Sequence, residues 1–245
     1  MKIKHIWLFI TSILYAGNVI SQDSLSIKTE KDFKILSLRL GVDLFKPIKT
    51  NFEDNFQGIE IVGDLKINRR IFIAAELGSE KITQQTEQIN FTTNGSYIKL
   101  GVDYNFFNNW KGMDNSLFVG IRISNSIHTH KVNEYILYEN YSAVEIKNSY
   151  FERAIVKDGG LIGERGQINS NWIEVLFGTK VEVLNNFYIG ASLRIHRLLN
   201  NSQPENFGNL YAPGFNKIVD DNRFGASFNY TLNYRLPFSI KKNKI

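Results

Sequence analysis

The sequence predicts an all-β chain: an eight-stranded antiparallel transmembrane β-barrel with short periplasmic turns and longer extracellular loops. Three observations predict it. Eight segments alternate apolar and polar residues with period two, as strands do whose successive side chains point to opposite faces. Short and long connections alternate between these segments. Only the first residues read as an apolar helix, and they have the layout of an export signal.

The first segment, Phe33–Phe45, puts Leu36, Leu38, Leu40, Val42 and Leu44 on one face and Ser37, Arg39, Gly41 and Asp43 on the other. An apolar face opposite a charged one suits a sheet between hydrocarbon and a polar interior, and only a closed barrel holds such a sheet in a bilayer. The second, Gly58–Ile67, turns Ile59, Ile61, Leu65 and Ile67 outward and Glu60, Asp64 and Lys66 inward, and Asn68-Arg69-Arg70 is a short turn. The third carries Ile71, Ile73, Ala75 and Leu77 outward and Glu76 inward, before the polar stretch Ser79–Gly95. In the fourth, Ile98, Leu100, Val102, Tyr104 and Phe106 face out and Lys99, Gly101, Asp103 and Asn105 face in, with Asn108–Asn115 turning the chain.

The fifth carries Leu117, Val119, Ile121 and Ile123 outward and Gly120, Arg122 and Ser124 inward, followed by the longest insertion, His128–Ser170. The sixth has Ile173, Val175, Phe177, Val181 and Val183 out and Glu174, Gly178, Lys180 and Glu182 in, closed by Leu184-Asn185-Asn186. The seventh has Phe187, Ile189, Ala191, Leu193 and Ile195 out and Ser192, Arg194 and His196 in, before a long loop, Asn200–Asn222. The eighth has Phe224, Ala226, Phe228, Tyr230, Leu232 and Tyr234 out and Ser227, Asn229, Thr231, Asn233 and Arg235 in.

An even strand number puts both termini on one side. If that side is the periplasm, the periplasmic turns are 68–70, 107–116 and 184–186, the short ones, and the outer loops are 46–57, 79–95, 128–170 and 200–222. Tyr104, Phe106, Phe107, Trp110, Phe187, Tyr234 and Phe238 then fall at the periplasmic rim, where an aromatic girdle belongs. A soluble β-sandwich also alternates, but it rarely keeps every strand so cleanly amphipathic.

The expected organisation is a signal peptide at 1–21, a periplasmic segment at 22–32, the barrel at 33–238 and a periplasmic tail at 239–245. Lys2 and Lys4 precede the apolar run Ile6–Leu14, and Val19-Ile20-Ser21 offers a cleavage site before Gln22. An uncleaved anchor is the alternative, but Thr11, Ser12, Gly17 and Asn18 interrupt the stretch. Integral residence in the outer membrane of a diderm bacterium follows, with its lipids as the first partners.

Composition excludes several functions. With no cysteine there is no disulfide framework, thiolate nucleophile or lipidated Cys. The isoelectric point is near 9.2 and the mean hydropathy −0.21, a value that misleads for a barrel whose strands half face a polar lumen. Without residues 1–21 the balance is 27 basic against 24 acidic residues. The basic residues are dispersed, so no nucleic-acid partner is expected.

Seven inward charges of each sign are expected: Arg39, Lys66, Lys99, Arg122, Lys180, Arg194 and Arg235 against Asp43, Glu60, Asp64, Glu76, Asp103, Glu174 and Glu182. Side chains fill an eight-stranded barrel, so these charges are expected to pair in the lumen rather than line an ion path. His128 and His130 are weak metal candidates, with Glu134 the only obvious third ligand. Ser124, Ser126 and His128 near the outer end of the fifth strand do not specify a triad. No metal, cofactor or catalytic residue is expected. Long loops on a rigid scaffold are the expected functional surface. Loop 200–222 contains the apolar Phe207, Leu210, Tyr211 and Phe215, which either form a partner-binding patch or cap the barrel mouth.

Several stretches resemble an uncharacterised family of Bacteroidota outer-membrane barrels. They are Leu40-Gly41-Val42-Asp43-Leu44 with Lys46-Pro47, Glu60-Ile61-Val62-Gly63-Asp64, Ala74-Ala75-Glu76-Leu77-Gly78, Gly95 to Asn105, and Asn209 to Asn216. The resemblance covers almost the whole mature chain and is weakest at 128–170. It implies location and a barrel fold and carries no activity. It also suggests a non-catalytic subunit of a larger outer-membrane assembly with surface lipoproteins, of the kind that performs barrel assembly or secretion. An outer-membrane lipid or peptide hydrolase with a loop-rim site and a narrow channel are the alternatives.

Overall fold

Alternation along the chain becomes a closed antiparallel wall. The computed structural model describes residues 37–109, 114–138, 153–203, 208–219 and 223–237, with backbone alone for 137–138, 153–155, 165 and 237. The expected signal peptide, residues 22–36, Trp110, Phe207 and the tail from Phe238 onward lie outside the described residues.

The elements are β1 (Ser37–Asp43), α1 (Phe45–Phe52), β2 (Phe56–Lys66), β3 (Ile71–Gln85), β4 (Ile89–Asn105), β5 (Ser116–Tyr138), β6 (Arg153–Val156), β7 (Gly163–Leu184), β8 (Phe187–Asn201), β9 (Tyr211–Ala212), β10 (Asn216–Lys217) and β11 (Phe224–Pro237). The wall runs β1-β2-β3-β4-β5-β7-β8-β11, and β1 closes it on β11 from Ser37↔Pro237 to Asp43↔Thr231. The eight wall strands are those the alternation predicts.

Outward side chains form an apolar belt. Leu40, Ile61, Leu77, Leu100, Ile121, Val175, Ile195 and Phe228 are all exposed on it. Near the turn end the strands join through tight connections such as Asn185-Asn186, where Asn186 takes a positive φ of 66°. Asn tolerates that conformation better than most residues.

At the opposite, hairpin end, the strands run on past the belt. Beyond Leu77, β3 turns Ser79 and Lys81 outward, and β4 turns Asn94 and Ser96 outward. This hairpin continues to a turn at 86–88, where the Thr86 hydroxyl oxygen accepts the Ile89 N–H at 3.0 Å. Likewise β5 and β7 pair well above Asn125↔Asn171, and β6 adds a short strand against Tyr135–Tyr138. The expected loop 79–95 is therefore mostly strand, as is much of 128–170. Outside the belt both sheet faces carry polar residues, so the hydrophobic alternation that marks a strand fades while the backbone pairing does not. The expected loop 46–57 is also corrected: it holds α1, whose Lys46 reaches into the interior.

Candidate functional site

The interior divides into two storeys. The lower one, level with the belt, is filled by crossed ion pairs. Arg39 Nε donates to Asp64 Oδ1 at 2.7 Å, and Lys180 Nζ reaches Asp64 Oδ2 at 2.5 Å from across the lumen. Glu76 accepts from Arg122 Nε at 3.1 Å and from Arg194 Nη1 at 2.6 Å. Arg122 also forks onto both oxygens of Asp103, at 2.6 and 3.0 Å, the paired geometry that suits guanidinium to carboxylate. Lys99 Nζ lies 3.0 Å from Glu174 Oε1 and 3.9 Å from Glu60 Oε2. At the turn end Arg235 Nη2 sits 3.5 Å from Glu182 Oε1, and Lys66 pairs with Asp114.

Asp43 departs from the expected scheme. Its carboxylate accepts the Lys46 backbone N–H at 2.9 Å and Asn229 Nδ2 at 3.0 Å, with no cation in salt-bridge contact among the described residues. Sequence reasoning missed three charged members: Lys46, Glu80 and Asp114. Lys46 Nζ donates to Glu60 Oε2 at 2.9 Å and lies 3.3 Å from Glu80 Oε1.

Aromatic rings pack between the charges. Arg39 lies 4.7 Å over Phe72, and Lys180 lies 5.3 Å over Phe118. Such faces attract cations and add apolar volume. A cavity of about 20 Å³ among Glu76, Phe118, Arg122, Lys180, Ser192 and Arg194 has room for one water molecule. Among the described residues the arrangement fills this storey with crossed ion pairs and aromatic rings.

The upper storey is closed by residues 208–219, which fold down into the mouth. Phe215 meets Trp172 edge to face at 5.8 Å and joins a buried cluster with Tyr97, Leu198, Ala212 and Ile218. Tyr211 packs with Phe56, Ile82 and Phe91, with Leu210 partly buried at the edge. The Tyr211 hydroxyl donates to Glu80 Oε2 at 2.9 Å, and burial first, then Glu80, raises its pKa well above the usual phenol range. Gly214 has φ 80°, and a Cβ there would come within 2.7–2.9 Å of the Tyr97 ring, so only glycine fits. Of the two readings left open for the four apolar candidates, Tyr211 and Phe215 follow the cap. They are apolar because they fill the barrel mouth.

His128 and His130 stand above the belt, side by side and buried. Both Nε2 atoms contact Asn209 Oδ1, at 3.2 and 2.8 Å. Asn209 Nδ2 donates to Ser170 Oγ at 3.0 Å and to Asn201, so its oxygen is the acceptor and both imidazoles donate through Nε2. Their Nδ1 atoms are then acceptors for Ser126 Oγ at 3.3 Å and Thr93 Oγ1 at 2.7 Å. Burial is the main cause that lowers both pKa values, His130 to about 4.

The result is two neutral hydroxyl–imidazole chains meeting at one amide. It resembles a catalytic relay in connectivity, with Ser126, His128 and Asn209 all buried. Glu134 pairs instead with Lys157 at 3.6 Å, and among the described residues no third His or carboxylate joins the imidazoles. Asn209, the hinge of this network, was invisible to sequence reasoning because an amide in a loop carries no periodic signal.

Comparison with known proteins adds the following. A search of curated sequences found no match. Among solved structures, the chain is similar to Acinetobacter baumannii CarO2 (11% identity, TM-score 0.33, covering 84% of this chain and 100% of that one). It is also similar to the translocator domain of the autotransporter NalP from Neisseria meningitidis (12% identity, TM-score 0.29, covering 95% and 96%). The model of a domain of unknown function, DUF6048, matches residues 2–242, and the chain belongs to that family.

Proposed function

We propose that this protein is an integral outer-membrane barrel that neither catalyses nor conducts, and that it serves as a scaffold or accessory subunit of a larger outer-membrane complex. The observation that carries this reading is the doubly closed interior, charge-locked below and capped above. What remains free to act is the exterior. The apolar belt suits lipid. The sheet projecting beyond it, with Lys81, Asn94, Ser96, Lys131 and Asn169 exposed, suits contact with other outer-membrane proteins or surface lipoproteins.

The test is affinity purification of a C-terminally tagged chain from native membranes in mild detergent. The reading predicts a defined set of envelope proteins at stoichiometric level, depleted by Lys81→Glu with Asn94→Glu on the exposed hairpin face. A monomer without stoichiometric companions contradicts it. The Phe207–Phe215 region is unsuitable for such a test, because Tyr211 and Phe215 hold the cap.

A further inference from the structure

Helix α1 is inside out. Phe45, Ile48 and Phe52 are 49%, 54% and 81% exposed, while Lys46 on the opposite side is 8% exposed. The exposed residues are spaced i, i+3, i+7, which is one stripe of a helix. Its rotation is fixed by polar bonds on the inner face. Lys46 is held by Glu60 and Glu80, and Thr50 Oγ1 accepts the Gly58 N–H at 2.9 Å. The stripe therefore cannot roll inward without pulling a buried ammonium from its carboxylates. In water, three large apolar side chains would stay hydrated.

The position of the helix explains the inversion. Strand β1 stops at Asp43, opposite Thr231, and Leu44 N–H donates to Tyr230 O at 2.7 Å. Above that point, from Gly225 to Asn229, the strand ladder of β11 among the described residues is with β8. Helix α1 stands in the place where β1 would have continued, in contact with both β2 and β11. The wall there is a helix–strand seam rather than a hydrogen-bonded ladder. Its outer face carries Phe45, Ile48 and Phe52 on one flank and Phe228 and Tyr230 on the other, at 62% and 51% exposure. Leu40 and Val42 of the belt precede this stripe on β1, and Ile59 and Ile61 follow it on β2, all similarly exposed.

We infer that α1 is a lipid-binding element, whose Phe45–Ile48–Phe52 stripe and the adjoining Phe228–Tyr230 edge take an acyl chain of the outer leaflet. Continuity with the belt and the absence of charge on the stripe select hydrocarbon as the occupant. A barrel strand must offer its backbone to a neighbour in lipid. Here the helix satisfies its own backbone, and its side chains and a lipid chain cover the edge of β11. The inference rests on the outer-membrane reading above.

Because the chain has no cysteine, a single introduced one carries a unique spin label. Full-length mature protein bearing Phe52→Cys or Ile48→Cys is reconstituted into dimyristoylphosphatidylcholine vesicles, with Ile121→Cys as the belt reference and Asn94→Cys as the aqueous one. Electron paramagnetic resonance then reads accessibility to oxygen against a water-soluble nickel chelate. Labels at 52 and 48 are expected to match 121, favouring oxygen, with the sign of the logarithmic ratio opposite to that at 94. Labels at 52 and 48 that behave like 94, or that are shielded from both reagents, overturn the inference while position 121 keeps the membrane reading intact. An aqueous signal at 121 overturns the membrane reading and the inference with it. The two helix positions are independent, so failure of one variant to fold leaves the other to decide.

Discussion

Below Tyr97 the barrel interior is held by ions shared across the lumen; above it, aromatic rings and neutral amide–imidazole bonds join the Lys46–Glu80 pair. Glu76 on β3 joins Arg122 from β5 and Arg194 from β8, the latter four strands away around the wall. Removing one partner of a buried pair leaves the other charge uncompensated, so such networks resist local change and fix register. In the upper storey, one wall of the packing is a loop. Tyr211, Phe215 and Asn209 all arrive on residues 208–219. The contrast teaches that this barrel is locked in one half and capped in the other, and that only the cap can open without loss of the wall.

The largest expected effect is on the lock. Glu76→Leu removes the carboxylate that Arg122 and Arg194 share, leaving Asp103 and Glu174 to hold them, and should cost on the order of 3–5 kcal/mol in urea unfolding of the detergent-solubilised barrel. A loss below about 1 kcal/mol would break the comparison, by showing that the lower charges are individually dispensable. Next, Phe215→Ala should weaken the cap by about 3 kcal/mol. Read as thiol labelling of the buried Ala212→Cys, that is roughly a hundredfold faster reaction, with little change in whole-barrel unfolding. A parallel fall in both would mean that cap and wall are one cooperative unit.

Acid sharpens the same contrast. His130 is held near 4 when folded, against an unperturbed value near 6.5, so the opened cap binds the proton that the closed cap refuses. The cap keeps its full stability above about pH 6.5 and loses it as pH falls toward 4. At pH 5 the loss is about 2 kcal/mol. Labelling of Ala212→Cys, normalised to the exposed Lys131→Cys, should rise accordingly at pH 5, and His130→Gln should reduce the rise, with His128, also lowered by burial, carrying a share of what remains. An unchanged response in His130→Gln would point to another group. The smallest effect is expected at Lys157, 73% exposed in its pair with Glu134. Lys157→Ala should change urea stability by less than about 0.5 kcal/mol, and a larger loss would mean that the projecting hairpin carries stability of its own.

These differences mirror what could be read from the residues. The wall strands were legible because Ile71 to Leu77 or Leu117 to Ile123 must alternate between lipid-like and polar surroundings. Inward charges were legible for the same reason, but their partners were not. Lys180 meets Asp64 across the lumen, and that match depends on stagger and barrel width rather than on spacing along the chain. Beyond the belt the alternation turns polar on both sides, which hid the strand at Ser79–Gln85. The apolar residues of 200–222 left two readings open, since hydrophobicity does not say whether a loop folds inward or faces a partner. Lys46 was missed because a lysine beside Pro47 in a long connection looks solvated. The apolar Phe45, Ile48 and Phe52 around it were the available sign that the helix is inverted.

The central claim is that the interior is closed and the protein acts through its exterior. Conductance across a planar lipid bilayer containing the purified full-length barrel tests it most directly. The account predicts a current indistinguishable from that of the bare bilayer at neutral pH. Reproducible unitary steps from the unmodified protein would contradict it.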